Sequence, residues 1–237
     1  MKRIFTTLSE KWPEYILEIL VITIGIIGAF MLNSWKEDVE SGKEEQAILK
    51  QLREDLRISK TQSEELILSE RTQIAIIKAA LGTAEELDSL LATDLDNVAH
   101  KVFWDFGHDK PVFGYYEDLK SAGKTSLIQS EALRSQLSDL QESINALINL
   151  LDDRRSVHIL RVDAISENDI NFQRIAFRSL PEMDPGEHSN YADLLKDKRI
   201  RNLLAIKLEL GQSVLSSQIK LDEDIGETLV MVEKEIK

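Results

Sequence analysis

From Tyr15 to Trp35 the chain reads Tyr-Ile-Leu-Glu-Ile-Leu-Val-Ile-Thr-Ile-Gly-Ile-Ile-Gly-Ala-Phe-Met-Leu-Asn-Ser-Trp, and between Ile19 and Leu32 only Thr23 has a polar side chain. A helix of these 21 residues rises roughly 30 Å, about the thickness of a bilayer's hydrocarbon core. Tyr15 and Trp35 stand at its ends, where amphipathic rings prefer the membrane–water interface. The pattern predicts one membrane-spanning helix over 15–35. A cleaved signal peptide fits less well, because the run is long and Phe-Met-Leu-Asn-Ser-Trp follows Ala29 where a small-residue cleavage site would be needed. A core helix of a soluble domain fits less well too, because a stretch apolar on every face belongs to a membrane or to the middle of a large domain.

Beyond Trp35 the pattern becomes amphipathic. Leu49, Leu52, Leu56, Ser59, Ser63 and Leu66 alternate in steps of three and four, and Ile74, Ile77 and Leu81 continue the row. That is the seam of a coiled coil or helix bundle, weakened where it reaches the two serines. No Pro interrupts before Pro111 and Gly42 is isolated, so 36–81 is expected as a helical stalk of roughly 70 Å. Gly82 should stop it, and Thr83-Ala-Glu-Glu86 has the form of a capping box for a following helix. Residues 84–106 read as one or two short helices, and 83–128 as a short helical cap.

Ser130 is the expected N-cap of a long helix whose stripe is Leu133, Leu137, Leu140, Ile144, Leu147 and Leu151, extended by His158, Ile165 and Phe172. It should end near Leu180, before Pro181. Residues 181–190 form a Pro- and Gly-containing loop. A last helix is expected from Tyr191 to the C-terminus, with Leu204, Leu208, Gly211, Leu215, Ile225, Leu229, Val232 and Ile236 on its seam and polar Gln218 and Asp222 within it. The predicted fold is all-α: a short tail over 1–14, a membrane helix over 15–35, and a 36–237 domain in which a stalk leads into an up-down bundle of long helices.

Composition narrows the function. The net charge is −13. In residues 1–14 Lys2, Arg3 and Lys11 face Glu10 and Glu14, and the span adds Glu18, so the whole −13 resides in 36–237. A domain so acidic repels nucleic acid and anionic lipid, which argues against nucleic-acid binding as its function. There is no cysteine, hence no disulfide, thiolate metal site or cysteine nucleophile. The basic N-tail and the long following domain suggest a cytoplasmic N-terminus and an extracytoplasmic bundle.

Within the span, Glu18, Gly25 and Ala29 share one helical face, with Gly28 beside it. Small residues four apart let helix backbones approach closely, and an intramembrane carboxylate is a functional candidate. The segment 103–116 holds six of the chain's fourteen aromatics, so Phe103, Trp104, Phe106, Phe113, Tyr115 and Tyr116 are candidates for a ligand pocket. Gly123-Lys124-Thr125 looks like the end of a phosphate loop, but Asp118 stands where that motif needs Gly and no strand precedes it. A helix C-cap at Gly123 is expected instead, and no nucleotide site. His100, Asp105, His108 and Asp109 match no common metal spacing, and His158 reads as a core histidine. No nucleophile elbow, zinc-protease or dinucleotide motif occurs, so neither enzymatic activity nor a cofactor is expected.

Glu18-Ile19, Ile24-Gly25-Ile26, Ala29, Asn33 and Trp35, followed by Glu44-Glu45 and Leu49-Lys-Gln-Leu-Arg-Glu-Asp-Leu56, resemble a bacterial group of single-pass membrane proteins, domain-of-unknown-function family 6090. The resemblance returns at Leu119-Lys-Ser-Ala-Gly-Lys124, Leu127-Ile128 and Leu133-Arg134. It implies a single-pass protein of the bacterial inner (cytoplasmic) membrane and brings no activity with it. The expected function is a membrane-anchored scaffold or accessory subunit, assembling as a homo-oligomer or within a membrane protein complex. The alternative is an extracytoplasmic ligand-sensing bundle that signals through a separate membrane partner.

Overall fold

The computed structural model describes residues 2–82, 89, 95–104, 107, 109–177, 180, 182–184 and 186–237. The expected capping box at Thr83–Glu86 lies outside them, as do Asp105, Phe106 and His108. The described residues are helices, turns and loops with no strand, so the fold is all-α.

Helix α1 runs unbroken from Lys2 to Leu81. The expected tail is therefore helical from Lys2 onward: adding a residue to a formed helix is far easier than nucleating one. Every side chain described between Ile16 and Glu40 is exposed, and the apolar part is long enough to be a candidate membrane span. The first buried residue is Glu45, so only Lys36–Glu44, roughly 14 Å of helix, separates the span from the bundle.

From Glu45 onward the expected stalk is part of the bundle core. Leu49, Leu52 and Leu56 are fully buried against the chain's own helices. A three-four seam specifies that a partner exists and leaves open whether that partner lies in the same chain.

The C-terminal helix returns along α1 in the opposite direction. Gln46 donates to the Glu235 carbonyl (2.9 Å) and accepts from the Lys237 amide (2.8 Å); Lys60 pairs with Asp222 (2.6 Å); Arg201 reaches the Leu81 carbonyl (2.7 Å). One antiparallel register fits all of them. This helix is α8 (Lys198–Glu235), and it packs closely on both α1 and α4 (Glu131–Val157).

Between α1 and α4 the chain descends as an irregular leg containing α2 (Leu95–Ala99), a π-helical turn (His100–Trp104) and α3 (Gly114–Ser121). Its contacts step down α1. Gln73 donates to the Lys101 carbonyl. Gln62 accepts from the Val112 amide and Ser59 donates to the Val112 carbonyl. Asp55 accepts from the Tyr116 amide and Glu45 from the Gln129 amide. The expected cap over 83–128 is instead, from Lys101 to Gln129, the second leg of an up-down-up-down bundle. α1 leads upward and must return before α4 can start, and the turn signals in 103–116 bend that return without stopping it.

Ser130 caps α4 as expected, accepting from the Leu133 amide (3.4 Å). Gly123 takes φ 68° after α3, so the phosphate-loop look-alike is a helix C-cap. α4 does not continue to Leu180. It passes through a π-helical turn (His158–Val162) into α5 (Asp163–Asn168), and α6 (Phe172–Ala176) follows a break. A π turn inserts an extra residue and shifts the helical phase. Val162 at its end and Ile165 beyond it stay buried, while Phe172, expected on the same stripe, lies past the break after α5 and is 38% exposed.

The predicted last helix is also divided, into α7 (Tyr191–Lys196) and α8. Asp197 is extended and its carboxylate accepts from the amides of Arg199 (2.7 Å) and Ile200 (3.2 Å). An aspartate at that point caps a new helix in preference to continuing the old one.

Candidate functional site

The core has two apolar parts. The near one, at the end where α1 enters the bundle, gathers Leu49, Leu52 and Leu56 with the α4 stripe Leu133–Leu151 and with Leu221 and Ile225. The far one gathers Ile77, Val102, Phe103, Ile165, Tyr191 and Leu204. Ser59, Ser63, Glu70 and Gln73 of α1 and Arg154 of α4 are buried between the stretches of their helices that line the two parts, and Gln218 of α8 is buried between Val214 and Leu221 of the near one.

The centre of this polar band is an ion pair. Arg154 holds Glu70 with both terminal nitrogens, Nη1 to Oε2 at 2.9 Å and Nη2 to Oε1 at 2.7 Å, and Nη1 also donates to the Gly107 carbonyl at 2.8 Å. The two side chains are 8% and 5% exposed. Burying two charges costs several kcal/mol each, and the paired geometry with its added carbonyl acceptor offsets that cost.

Gly211 of α8 lies against the same carboxylate. A Cβ there would stand 3.1 Å from Glu70 Oε1 and 3.3 Å from Ile74 Cγ1. The missing side chain lets the α8 backbone approach α1 where Glu70 must fit. Gly211→Ala should therefore cost about 1–3 kcal/mol through overpacking, read as a lower thermal midpoint by circular dichroism of the full chain in detergent. An unchanged midpoint would mean that Glu70 and Ile74 can give way.

The descending leg is tied in by its carbonyls. Lys207 of α8 donates to the Val102 carbonyl (2.7 Å) and the Phe103 carbonyl (2.6 Å) beside the Gln73 bond to Lys101. Carbonyls at the end of a helical segment lack intrahelical donors, and these side chains supply them. The cluster thus joins all four legs at one height.

Beside the ion pair is a cavity of about 20 Å³, lined by Gln73 and Ile77 of α1, Val157 and His158 from the α4 side, and Lys207 and Gly211 of α8. It has room for about one water. Burial lowers the His158 pKa from its ordinary 6.5, the Lys207 ammonium lowers it further, and Asp163 opposes them. The larger hollows, about 500 and 390 Å³, are open surface grooves.

The described aromatic candidates are divided between the two cores. Phe103 is buried in the far core, while Phe113 and Tyr116 are buried in the near one with Tyr115 packed against it. Trp104 meets Phe103 edge-to-face and Phe172 at a tilt (centroids 5.6 and 5.3 Å apart) and donates from Nε1 to Ser166 Oγ at 2.8 Å. The Tyr116 hydroxyl donates to the Leu137 carbonyl at 2.7 Å, and burial raises its pKa above 10.0. Large rings in a turn-rich leg supply the burial that its short helices lack, so they are divided between the two cores. Phe106 lies outside the described residues.

On the apolar part of α1, Glu18, Gly25, Gly28 and Ala29 are exposed, and a Cβ at either glycine would meet nothing within 4 Å. Among the described residues no three His, Cys, Asp or Glu side chains are grouped to hold a metal.

Sequence reasoning passed over the ion pair, although a signal was present. Glu70 continues the α1 seam four residues after Leu66, and Arg154 continues the α4 stripe three residues after Leu151. Opposite charges on the apolar seams of two helices are the mark of a buried pair. No family model, no curated protein and no solved structure matches the chain.

Proposed function

We propose that the protein is a single-pass membrane scaffold or accessory subunit without catalytic activity of its own, which assembles through the membrane-spanning part of α1. In this reading the N-terminus is cytoplasmic and the bundle stands on the extracytoplasmic face of a bacterial inner membrane. The resemblance to family 6090 enters the proposal as topology alone. The observation that carries the reading is a contrast within one helix. From Glu45 onward the α1 seam is closed by the chain's own legs, while the stretch from Ile16 to Glu40, which includes the apolar span, is exposed and has no partner among the described residues. Lipid satisfies most of that surface, and Gly25 with Ala29 offers a face on which a second helix backbone could lie.

Ligand sensing through the aromatic segment is less well supported. Ligand sites enclose most of their ligand, whereas these rings fill two separate cores and the cavity at the ion pair holds about one water.

Gly25→Leu tests the reading. The added side chain would separate helices that meet at Gly25, while insertion is unaffected because hydrophobicity rises. Membrane localisation should stay normal and the complex in mild detergent should shrink. Glu18→Gln, seven residues earlier on the same face, asks separately whether the carboxyl contributes. Unchanged size in Gly25→Leu would make the small residues incidental.

A further inference from the structure

We propose that a second copy of this chain docks, parallel and two-fold related, on the face of α1 turned away from the bundle, from Lys36 to Glu54 just above the membrane. The pairing presupposes the contact at Gly25 and Ala29 proposed above and names its partner. Two features of α1 carry it, the phase of the helix and the order of charges on its outer face.

The phase follows from α1 being one helix from Lys2 to Leu81. With 3.6 residues per turn, Lys43 lies about five full turns beyond Gly25 and so points the same way. Lys36 and Ala47, seven and eighteen residues beyond Ala29, return to the Ala29 side. Leu52 lies about seven and a half turns beyond Gly25, on the opposite side, and it is fully buried in the near core. The small-residue face of the span and the core face of the bundle are thus on opposite sides of one helix. Two copies meeting at Gly25 and Ala29 bring their outer faces together and carry their bundles outward, clear of each other.

The charges on that outer face are ordered. Lys36, Lys43 and Lys50 form one row seven residues apart, and Glu40, Ala47 and Glu54 form the adjoining row. All six are exposed. In a parallel two-fold pair each row packs against the other row of the second copy. Glu40 of one copy then falls between Lys36 and Lys43 of the other, and Glu54 falls beside Lys50. Ala47 is small and leaves room at the centre for the lysine stems. The 36–237 domain carries the whole −13, so most of its surface repels a second copy, whereas this face presents both signs in register. Within one chain Lys36 pairs with Glu40 (3.8 Å), and Glu54 pairs with Arg53 (2.7 Å) and Arg57 (3.5 Å), all at the surface. Surface pairs hold weakly, so they can exchange partners. The pairs across the two-fold are weak as well, but the contact within the membrane raises the effective concentration of the second copy.

The chain has no cysteine, so single cysteines read the pairing directly in native membranes. Ala47→Cys should oxidise to a product of twice the chain's mass, while Ser138→Cys on α4 and Val230→Cys on α8, both exposed, should not. A monomeric Ala47→Cys, a yield no higher than the two controls, or a product with another protein overturns the pairing. Crosslinks at Gly25 and Ala29 without one at Ala47 would keep the membrane contact and overturn the docking above it. Charge is tested in Ala47→Cys chains. Glu54→Lys or Lys50→Glu alone should lower the dimer yield severalfold, because like charges then face each other across the two-fold. Co-expressed with different tags, the two variants should recover the yield as mixed dimers, which a local effect of either substitution within its own chain would not produce. Unchanged yields in the single variants, or no mixed dimers, overturn the pairing.

Discussion

Arg154→Leu should cost the bundle about 3–5 kcal/mol, because it leaves Glu70 buried without its partner. Among the described residues no other cation pairs with the carboxylate, and α8 presses against it at Gly211. The double variant Glu70→Leu/Arg154→Leu removes the charges together and should recover most of the loss. Urea unfolding of the full chain in detergent, followed by circular dichroism, gives both numbers. If the double variant were as unstable as the single, the Gly107 carbonyl and the shape of the site would matter more than the charge.

Leu52→Ala should cost about 2–5 kcal/mol, since Leu52 is fully buried in the near core. Its second consequence separates two uses of the same seam. A row of leucines that lines the chain's own bundle contributes stability and leaves assembly alone. Leu52→Ala should therefore lower the unfolding midpoint while the complex keeps its size in mild detergent at a temperature where it is folded. A smaller complex at full helicity would mean that the seam is shared between chains.

The features legible in the sequence were those set by short-range chemistry. The apolar stretch 15–35 announces its length, the seams of α1, α4 and α8 announce their buried faces, and Ser130 and Gly123 announce a helix start and a helix end. What escaped depends on contacts distant in the chain. Nothing local says that Leu49, Leu52 and Leu56 meet α4 and α8 and not a second copy. Nothing local says that 101–129 lies along α1, because its short helices take their direction from carbonyls and amides bonded to Gln73, Ser59, Asp55 and Glu45.

The π turn at His158–Val162 was invisible for a related reason. Its residues suit an ordinary helix, and Ile165 beyond it is buried, as an uninterrupted stripe would bury it. Asp197 was readable in principle, as a capping residue inside a long apolar row, yet the row continued on both sides and masked it. Glu70 and Arg154 each broke an apolar seam, and either alone reads as a solvent-facing charge at a helix edge.

The proposed role rests on the exposed part of α1 meeting another helix in the membrane, and the absence of cysteine makes that directly measurable. Single cysteines placed in turn from Ile19 to Leu32 can be oxidised in native membranes and the products sized. Crosslinking should rise and fall with helical period and peak at Ile22, Gly25 and Ala29, to a band of either two copies or one copy with a single partner. Uniform crosslinking along the stretch, or none at any position, would contradict assembly through this face and leave the apolar segment as an anchor alone.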